Sequence, residues 1–399
     1  MNKSTDTLLR TVKRPSKVAP AIFLSAGCFL SQTQLLPVFA WSFFLLGVAW
    51  LMVGDWRVGQ SVWWGRFKLE LWALIFLMLC YLIALILTSH RVDSSLYLLS
   101  SMFSAVLAGS ICKSRPDLIL PAIRYFLWLN VSAVFIGLVV LYLFGSEGFI
   151  FILSDTSDYL RFRGISLEPN HLGLSLIVAY IATLFLPRHQ LKNQKREFYL
   201  NLTLIWIMAA LTASLFTIPC LILITLIYGW TSNSRKIKSV VFISILLLGY
   251  VSSDRFARTM SGEDNSANLR TWGSLFIAHA QVVKCGIAGC GLGSARSVLA
   301  NEPQMMVFAA HELNGLPNLF AGAMVEGGYF FVAFIIILIL FASVPPGVWR
   351  GGCSWRCSLA CFSLLFLCAI SGSHPYDSQF WSLLGLISII SRQAVKSNK

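Results

Sequence analysis

The chain has 399 residues, 57% of them hydrophobic and only 12% charged, with a formal net charge of +14. A soluble domain carries about 25% charged residues, so composition argues against a water-soluble fold and against reading the basic surplus as a nucleic-acid footprint. Repeated apolar runs separated by short polar loops describe a single membrane-embedded unit over residues 1–399.

In chain order, apolar spans fall near Val18–Leu30, Leu36–Val53, Leu69–Thr88, Leu96–Cys112 and Ala122–Phe144, before a first long loop. Further spans follow near His171–Leu186, Tyr199–Ala213, Leu215–Trp230, Ser239–Val251, Leu319–Ala342, Cys357–Ile370 and Phe380–Ile390. The expected fold is therefore an all-α polytopic membrane protein of about 12 transmembrane helices. With the N-terminus inside, the seven cytoplasmic segments hold 22 of the 31 Lys and Arg residues and the opposite face holds eight, Arg124 lying within a span. Lys and Arg resist translocation, so both termini are expected in the cytoplasm and the high pI is a topology signal. Leu24-Ser25-Ala26-Gly27-Cys28 approaches a lipoprotein box, but Ser25 stands where an aliphatic residue belongs, and an uncleaved first span is the expectation.

Cys353, Cys357 and Cys361 recur every four residues on one helix face. Packing of small polarizable side chains between helices explains them better than a metal. Cys285 and Cys290 lie in an outer loop, where an oxidising compartment permits a disulfide without the spacing demanding one.

Two outer loops, 145–170 and 252–318, are too long to be mere connectors. The first ends in Arg161-Phe162-Arg163-Gly164-Ile165-Ser166-Leu167-Glu168-Pro169-Asn170-His171, which gathers charge, amide and imidazole just ahead of a span. An interfacial anchor with arginines on lipid headgroups and Pro169-Asn170 opening a helix is an equally good reading of these residues. The second loop carries a helical pattern: after Ser266 as N-cap, Leu269, Trp272, Leu275, Phe276, Val282 and Val283 recur until Lys284 and Gly286 close it. Such an amphipathic helix is expected to lie flat on the membrane and hold Arg270 at headgroup level, either for function or by snorkelling. Gly286, Gly289, Gly291 and Gly293 are expected to form a tight turn rather than a nucleotide loop, because no strand-helix unit surrounds them.

Within the spans, away from their first two residues, ionisable residues are few: Glu326 and Arg124. Coupled transporters collect charge near the midplane, so this scarcity favours chemistry at the outer surface over a transport route. His171, His279, His311 and His374 are scattered without zinc spacing, and no Gly-x-Ser-x-Gly elbow is present. What remains is a set of arginines with a few His and Glu residues. The arginine fork matches phosphate oxygens and can stabilise a departing pyrophosphate, while a nearby His or Glu can take the proton of an attacking hydroxyl. That set fits glycosyl transfer from a lipid pyrophosphate.

From about Arg161 to Leu386 the chain resembles the O-antigen ligase and Wzy-type polymerase superfamily. The resemblance rests on Arg163-Gly164 through Glu168-Pro169-Asn170, Asn268-Leu269-Arg270, Gly289 to Gly293, Asn318 through Glu326-x-Gly328, and Ser371-Gly372-Ser373 through Phe380-Trp381. It implies an enzyme of the bacterial inner membrane that joins glycans at the periplasmic face, using an undecaprenyl-pyrophosphate-linked donor and no cofactor or metal. Arg163 and Arg270 would contact the pyrophosphate, with Arg161 and Arg296 as further candidates. His311 is the first choice for the base and Glu168 the next, with Asn170, Glu312 and Glu326 in support. The partners implied are the lipid-linked glycan, membrane lipids, and the flippase and chain-length regulator of the same pathway; no nucleic acid is implied. Where many members have Thr-x-Ser-Arg this chain has Thr212-Ala213-Ser214-Leu215, and where ligases place His-Asn it has Pro317-Asn318. The missing His-Asn favours a repeat-unit polymerase over a ligase that transfers polymer to a lipid A-core, and the scarcity of charges within the spans favours both over a flippase.

Overall fold

The structure, a computed structural model, describes residues 119–145, 153–156, 159–164, 169–184, 195–212, 217–231, 269–301, 316–344, 354–371 and 378–396, with isolated positions at Leu98, Met102, Ser166, Ser214, Phe216, Ala257, Ser261 and Pro375. Apart from Leu98 and Met102 in the fourth, the first four expected spans lie outside the described residues, as do Ser239–Val251 and the N-terminal segment.

Among the described residues, the chain is built of helices with one small hairpin. In order they are α1 Ile119–Phe144, strands β1 Leu153–Thr156 and β2 Tyr159–Phe162, then α2 Pro169–Leu184, α3 Lys195–Thr212 and α4 Thr217–Thr231. A π turn over Leu269–Gly273 leads into α5 Ser274–Cys285, and α6 Ser294–Asn301, α7 Leu319–Ser343, α8 Ser354–Ser371 and α9 Ser378–Lys396 follow. Seven of the apolar spans read from the sequence are therefore helices, with ends shifted by a few residues. The antiparallel hairpin, pairing Leu153 with Phe162 and Ser154 with Arg161, was not expected. Its Leu153-Ser154-Asp155-Thr156 strand lacks the apolar alternation that marks a strand.

Helices α1 and α7 are long and apolar enough to cross a membrane over Leu120–Phe144 and Leu319–Ser343, each 25 residues, or about 38 Å at 1.5 Å per residue. The C-terminal half of α1 exposes Phe135, Ile136, Tyr142 and Phe144, and α7 exposes Phe330 and Ile337. Water would penalise such surfaces, whereas hydrocarbon would not. Inside, Leu172, Leu176, Ile205, Leu221, Phe331, Leu364, Phe380 and Trp381 belong to one buried apolar cluster that joins α1 to α4 with α7 to α9. Cys357, Cys361 and Cys368 sit in that cluster on α8, as expected for packing residues.

Side-chain contacts fix the relative directions. Trp206 Nε1 donates to Tyr180 OH at 3.2 Å while Ser214, just past the end of α3, bonds Asn170 at the start of α2, so α2 and α3 are antiparallel. Gly173 packs on Thr217 and Tyr180 OH meets Thr225 Oγ1 at 2.7 Å, so α2 and α4 run together. The starts of α1 and α3 are joined by Arg124 and Glu197 at 2.6 Å. Gly322 packs on Pro375 and Ser391 Oγ donates to Ala342 O at 2.7 Å, so α7 and α9 are parallel. Packing of Phe320 on Phe366 sets α8 antiparallel to α7.

Candidate functional site

Two polar centres stand at helix starts, one carrying Arg163 and the other Arg270.

The first is assembled by a turn between β2 and α2. Gly164 sits at φ 58°, a region that a Cβ-bearing residue enters only at a cost. A Cβ there would also run into the side chain of Asn130 on α1. Ser166 N donates to Arg163 O at 3.1 Å, which closes the turn. Arg163 is half-buried, and desolvation holds its guanidinium below its ordinary pKa.

Beneath this turn lies a layer of buried polar groups. Asn170, in the first turn of α2, accepts on Oδ1 from Ser214 Oγ at 3.0 Å, and Ser214 Oγ in turn accepts from Thr217 N at 3.2 Å, capping α4. Asn130 Nδ2 donates to Phe126 O at 3.0 Å, but Asn130 Oδ1, Ser166 Oγ and Thr217 Oγ1 are buried without a hydrogen-bond partner. Unsatisfied buried groups cost about 1–3 kcal/mol each, a cost that apolar side chains would avoid. Two helix N-termini, of α2 and α4, open beside this layer, and helix starts carry positive partial charge.

The second centre is built mainly from backbone. Arg270 lies in the π turn, where Ser274 Oγ donates to Leu269 O at 2.7 Å. Asn318, fully buried, caps α7: its Oδ1 accepts from Phe320 N and Ala321 N at 3.0 and 3.1 Å. Its Nδ2 donates to the carbonyls of Arg270 and Thr271 at 3.3 and 3.5 Å. One amide thus opens a helix and fixes the backbone that carries the arginine. The π turn also packs on α8.

From this anchor α5 runs in the same direction as the first leg of α7, because Arg270 is level with Asn318 and Ile287 is level with Tyr329. Ile277 and Ala278 pack with Ala321 and Val325 of α7. The opposite face exposes Trp272 and Phe276, each 75% exposed, together with Val283 and Ile287. The amphipathic helix expected from the sequence is therefore apolar on both its packed and its open sides. It follows α7, and its open side is suited to lipid.

Glu326 is fully buried, eight residues beyond Asn318 on α7, or about 12 Å along the axis. Two residues later α7 breaks at Gly328, with φ 64° and ψ −160°. The glycine-rich turn after α5 docks onto that break. Cys290 N donates to Val325 O at 2.6 Å, Gly291 N to Glu326 O at 3.0 Å, and Tyr329 N to Ile287 O at 3.2 Å. Cys285 and Cys290 are joined as a disulfide across this turn, the pairing the sequence left open.

Of the residues singled out from the sequence, Arg163 and Asn170 share the first centre, and Arg270 and Glu326 share the α5–α7 unit. Arg161 pairs with Ser154 in the hairpin, and Arg296 lies in α6. His311, Glu168 and Glu312 lie outside the described residues. Sequence reasoning missed Asn130, Ser214 and Thr217 as members of the polar layer. A lone Asn inside an apolar span was a signal for the first; Ser and Thr two and five residues past Thr212, ahead of the next span, were signals for the others. The pair formed by His279 Nδ1 and Tyr329 OH at 2.5 Å carried no signal, because 50 positions separate the two residues.

Comparison of the chain with protein-family models and with curated proteins finds no match.

Proposed function

We propose that the protein is an integral-membrane glycosyltransferase of the bacterial inner membrane that polymerises undecaprenyl-pyrophosphate-linked repeat units at the periplasmic face. The growing glycan passes from its lipid pyrophosphate to a hydroxyl of the next lipid-linked unit. One bond forms between the anomeric carbon and the acceptor oxygen, the anomeric carbon–phosphate oxygen bond breaks, and lipid pyrophosphate leaves. Arg163 and Arg270 neutralise the departing diphosphate, and His311 or Glu168 accepts the proton of the attacking hydroxyl.

The observation that carries this reading is the setting of Arg163. A half-buried arginine, held below its ordinary pKa by desolvation, adjoins Gly164, which packs on Asn130 of a buried polar layer where two helices begin. The arginine fork suits an anionic headgroup. The basic tally supports the sidedness, since the segments on the opposite side of the expected topology hold most of the Lys and Arg. The sequence resemblance supplies the reaction class.

The test is reconstitution of the full chain in proteoliposomes with purified lipid-linked repeat units. A polymerase builds a ladder from these alone, and Arg163→Ala abolishes it. If polymer appears only as a transfer of preformed chains onto an added lipid A-core, the protein is a ligase. If lipid-linked sugar crosses the bilayer with no new glycosidic bond, it is a flippase and the enzymatic reading fails.

A further inference from the structure

The proposed chemistry makes no use of the disulfide, yet the disulfide closes a segment that is stitched to the broken part of α7. A helix interrupted at Gly328 loses its own i to i+4 pairing there. Backbone groups freed by such a break must be paired elsewhere when buried. At this break the partners come from the turn after α5: Val325 O and Glu326 O accept from Cys290 and Gly291, and Tyr329 N donates to Ile287 O. The approach is close enough that a Cβ on Gly289 would meet the backbone of Gly328 and Glu326, and a Cβ on Gly328 would meet the backbone of Ile287 and Gly289. Both glycines have positive φ, at 80° and 64°. Only glycine at these two positions lets the chains touch without strain.

We propose that the disulfide-closed turn, Cys285 to Gly291, is a thiol-sensitive latch that holds the break in α7 and with it the position of Glu326. Little side-chain packing shapes the turn: Gly286, Ile287 and Ala288 are exposed, and Gly289 to Gly291 are half-buried, with Cys290 packed against the buried cluster between α5 and α7. Its shape depends on the covalent link between its ends. Cys285 is exposed and Cys290 half-buried, so a dithiol can reach the bond. Reduction consumes one dithiol, transfers two electrons and two protons to Cys285 and Cys290, and leaves the reductant as its own disulfide. The opened turn regains backbone freedom and releases Val325 O, Glu326 O and Tyr329 N. Among the described residues, the remaining cysteines, Cys220, Cys357, Cys361 and Cys368, are buried and outside any disulfide, so they do not supply a competing latch. The inference is independent of the proposed transferase activity.

Hydrogen exchange on the wild-type full chain in detergent or nanodiscs, before and after treatment with a dithiol, tests the latch without any variant. Oxidised protein should protect the amides of Cys290, Gly291 and Tyr329 together, and reduction should speed all three by roughly tenfold or more while the amides of α2 and α9 stay unchanged. Gly289→Ala, with the disulfide intact, should give the same local loss. Equal protection of Tyr329 before and after reduction, with the thiols shown to be free by mass labelling, overturns the proposal. So does finding Cys285 and Cys290 already reduced in protein isolated under non-reducing conditions.

Discussion

The turn that carries Arg163 and the turn that carries Arg270 are built from different materials. Arg163 sits above side-chain chemistry: Asn130, Ser166, Asn170, Ser214 and Thr217 bring amide and hydroxyl groups under the turn, with hydrogen bonds shared only in part. Arg270 sits on backbone, held because Asn318 grips the carbonyls of Arg270 and Thr271 while it caps α7. The first arrangement leaves polar atoms that can receive something, and the second spends its polar atoms on position. Under the proposed function, the first centre is the one suited to receive part of a ligand, and the second is the one whose backbone position is fixed.

The largest effect should come from the arginines. Arg163→Ala and Arg270→Ala should each lower polymer formation by about 10²–10³-fold, the usual scale for removing one charge-stabilising donor, with membrane insertion intact; product ladders from reconstituted enzyme measure this. Arg163→Lys separates charge from fork geometry. It keeps part of the rate at neutral pH, since a lysine has an ordinary pKa of about 10.4. The same burial that lowers Arg163 would lower the lysine too, so the variant's rate should fall as pH rises through the range below that value. Wild type should show no such fall. Its arginine stays charged throughout, because even a lowered guanidinium pKa lies well above that range.

Next in size is Asn318→Ala, which removes a cap for two amides and the grip on two carbonyls inside a buried site. It should cost roughly 2–3 kcal/mol, visible as a lower Tm in detergent, and should loosen the Arg270 segment more than the Arg163 turn. Gly164→Ala should cost roughly 1–2 kcal/mol through its left-handed φ, plus the clash with Asn130. The double variant Gly164→Ala with Asn130→Ala should recover the clash but not the strain. Recovery to wild-type Tm would show that φ at Gly164 is not a constraint. The smallest effect should come from Arg124→Ala. The Arg124–Glu197 pair is one-third exposed on both sides, and pairs of that kind contribute under about 1 kcal/mol.

Much of the helical frame could be read from apolar runs, because hydrocarbon-length helices leave a signal that no packing detail can mask. Thus α1 and α7 stood within a few residues of their observed ends. The hairpin at Leu153–Phe162 left none, since a two-stranded ribbon at a loop tip needs no alternating face. The site was legible where residue type speaks: Arg163, Gly164 and Asn170 are unusual groups just before a span. It was opaque where backbone speaks. Gly328 stood in a noted Glu-x-Gly pattern, but nothing in that pattern says that the helix breaks or that Ile287 and Cys290 repair it. The run of glycines after α5 was expected as a turn, and its docking partner lies some 40 positions away.

The central claim is that Arg163 and Arg270 serve one diphosphate. Binding of a polyprenyl diphosphate to the wild-type chain, Arg163→Ala, Arg270→Ala and the double variant, measured in nanodiscs under one salt condition, tests it directly. If the guanidiniums grip the same group, the second substitution should cost far less than the first, with a coupling of about 1 kcal/mol or more between them. Strictly additive losses, or a single variant that binds as tightly as wild type, would contradict it.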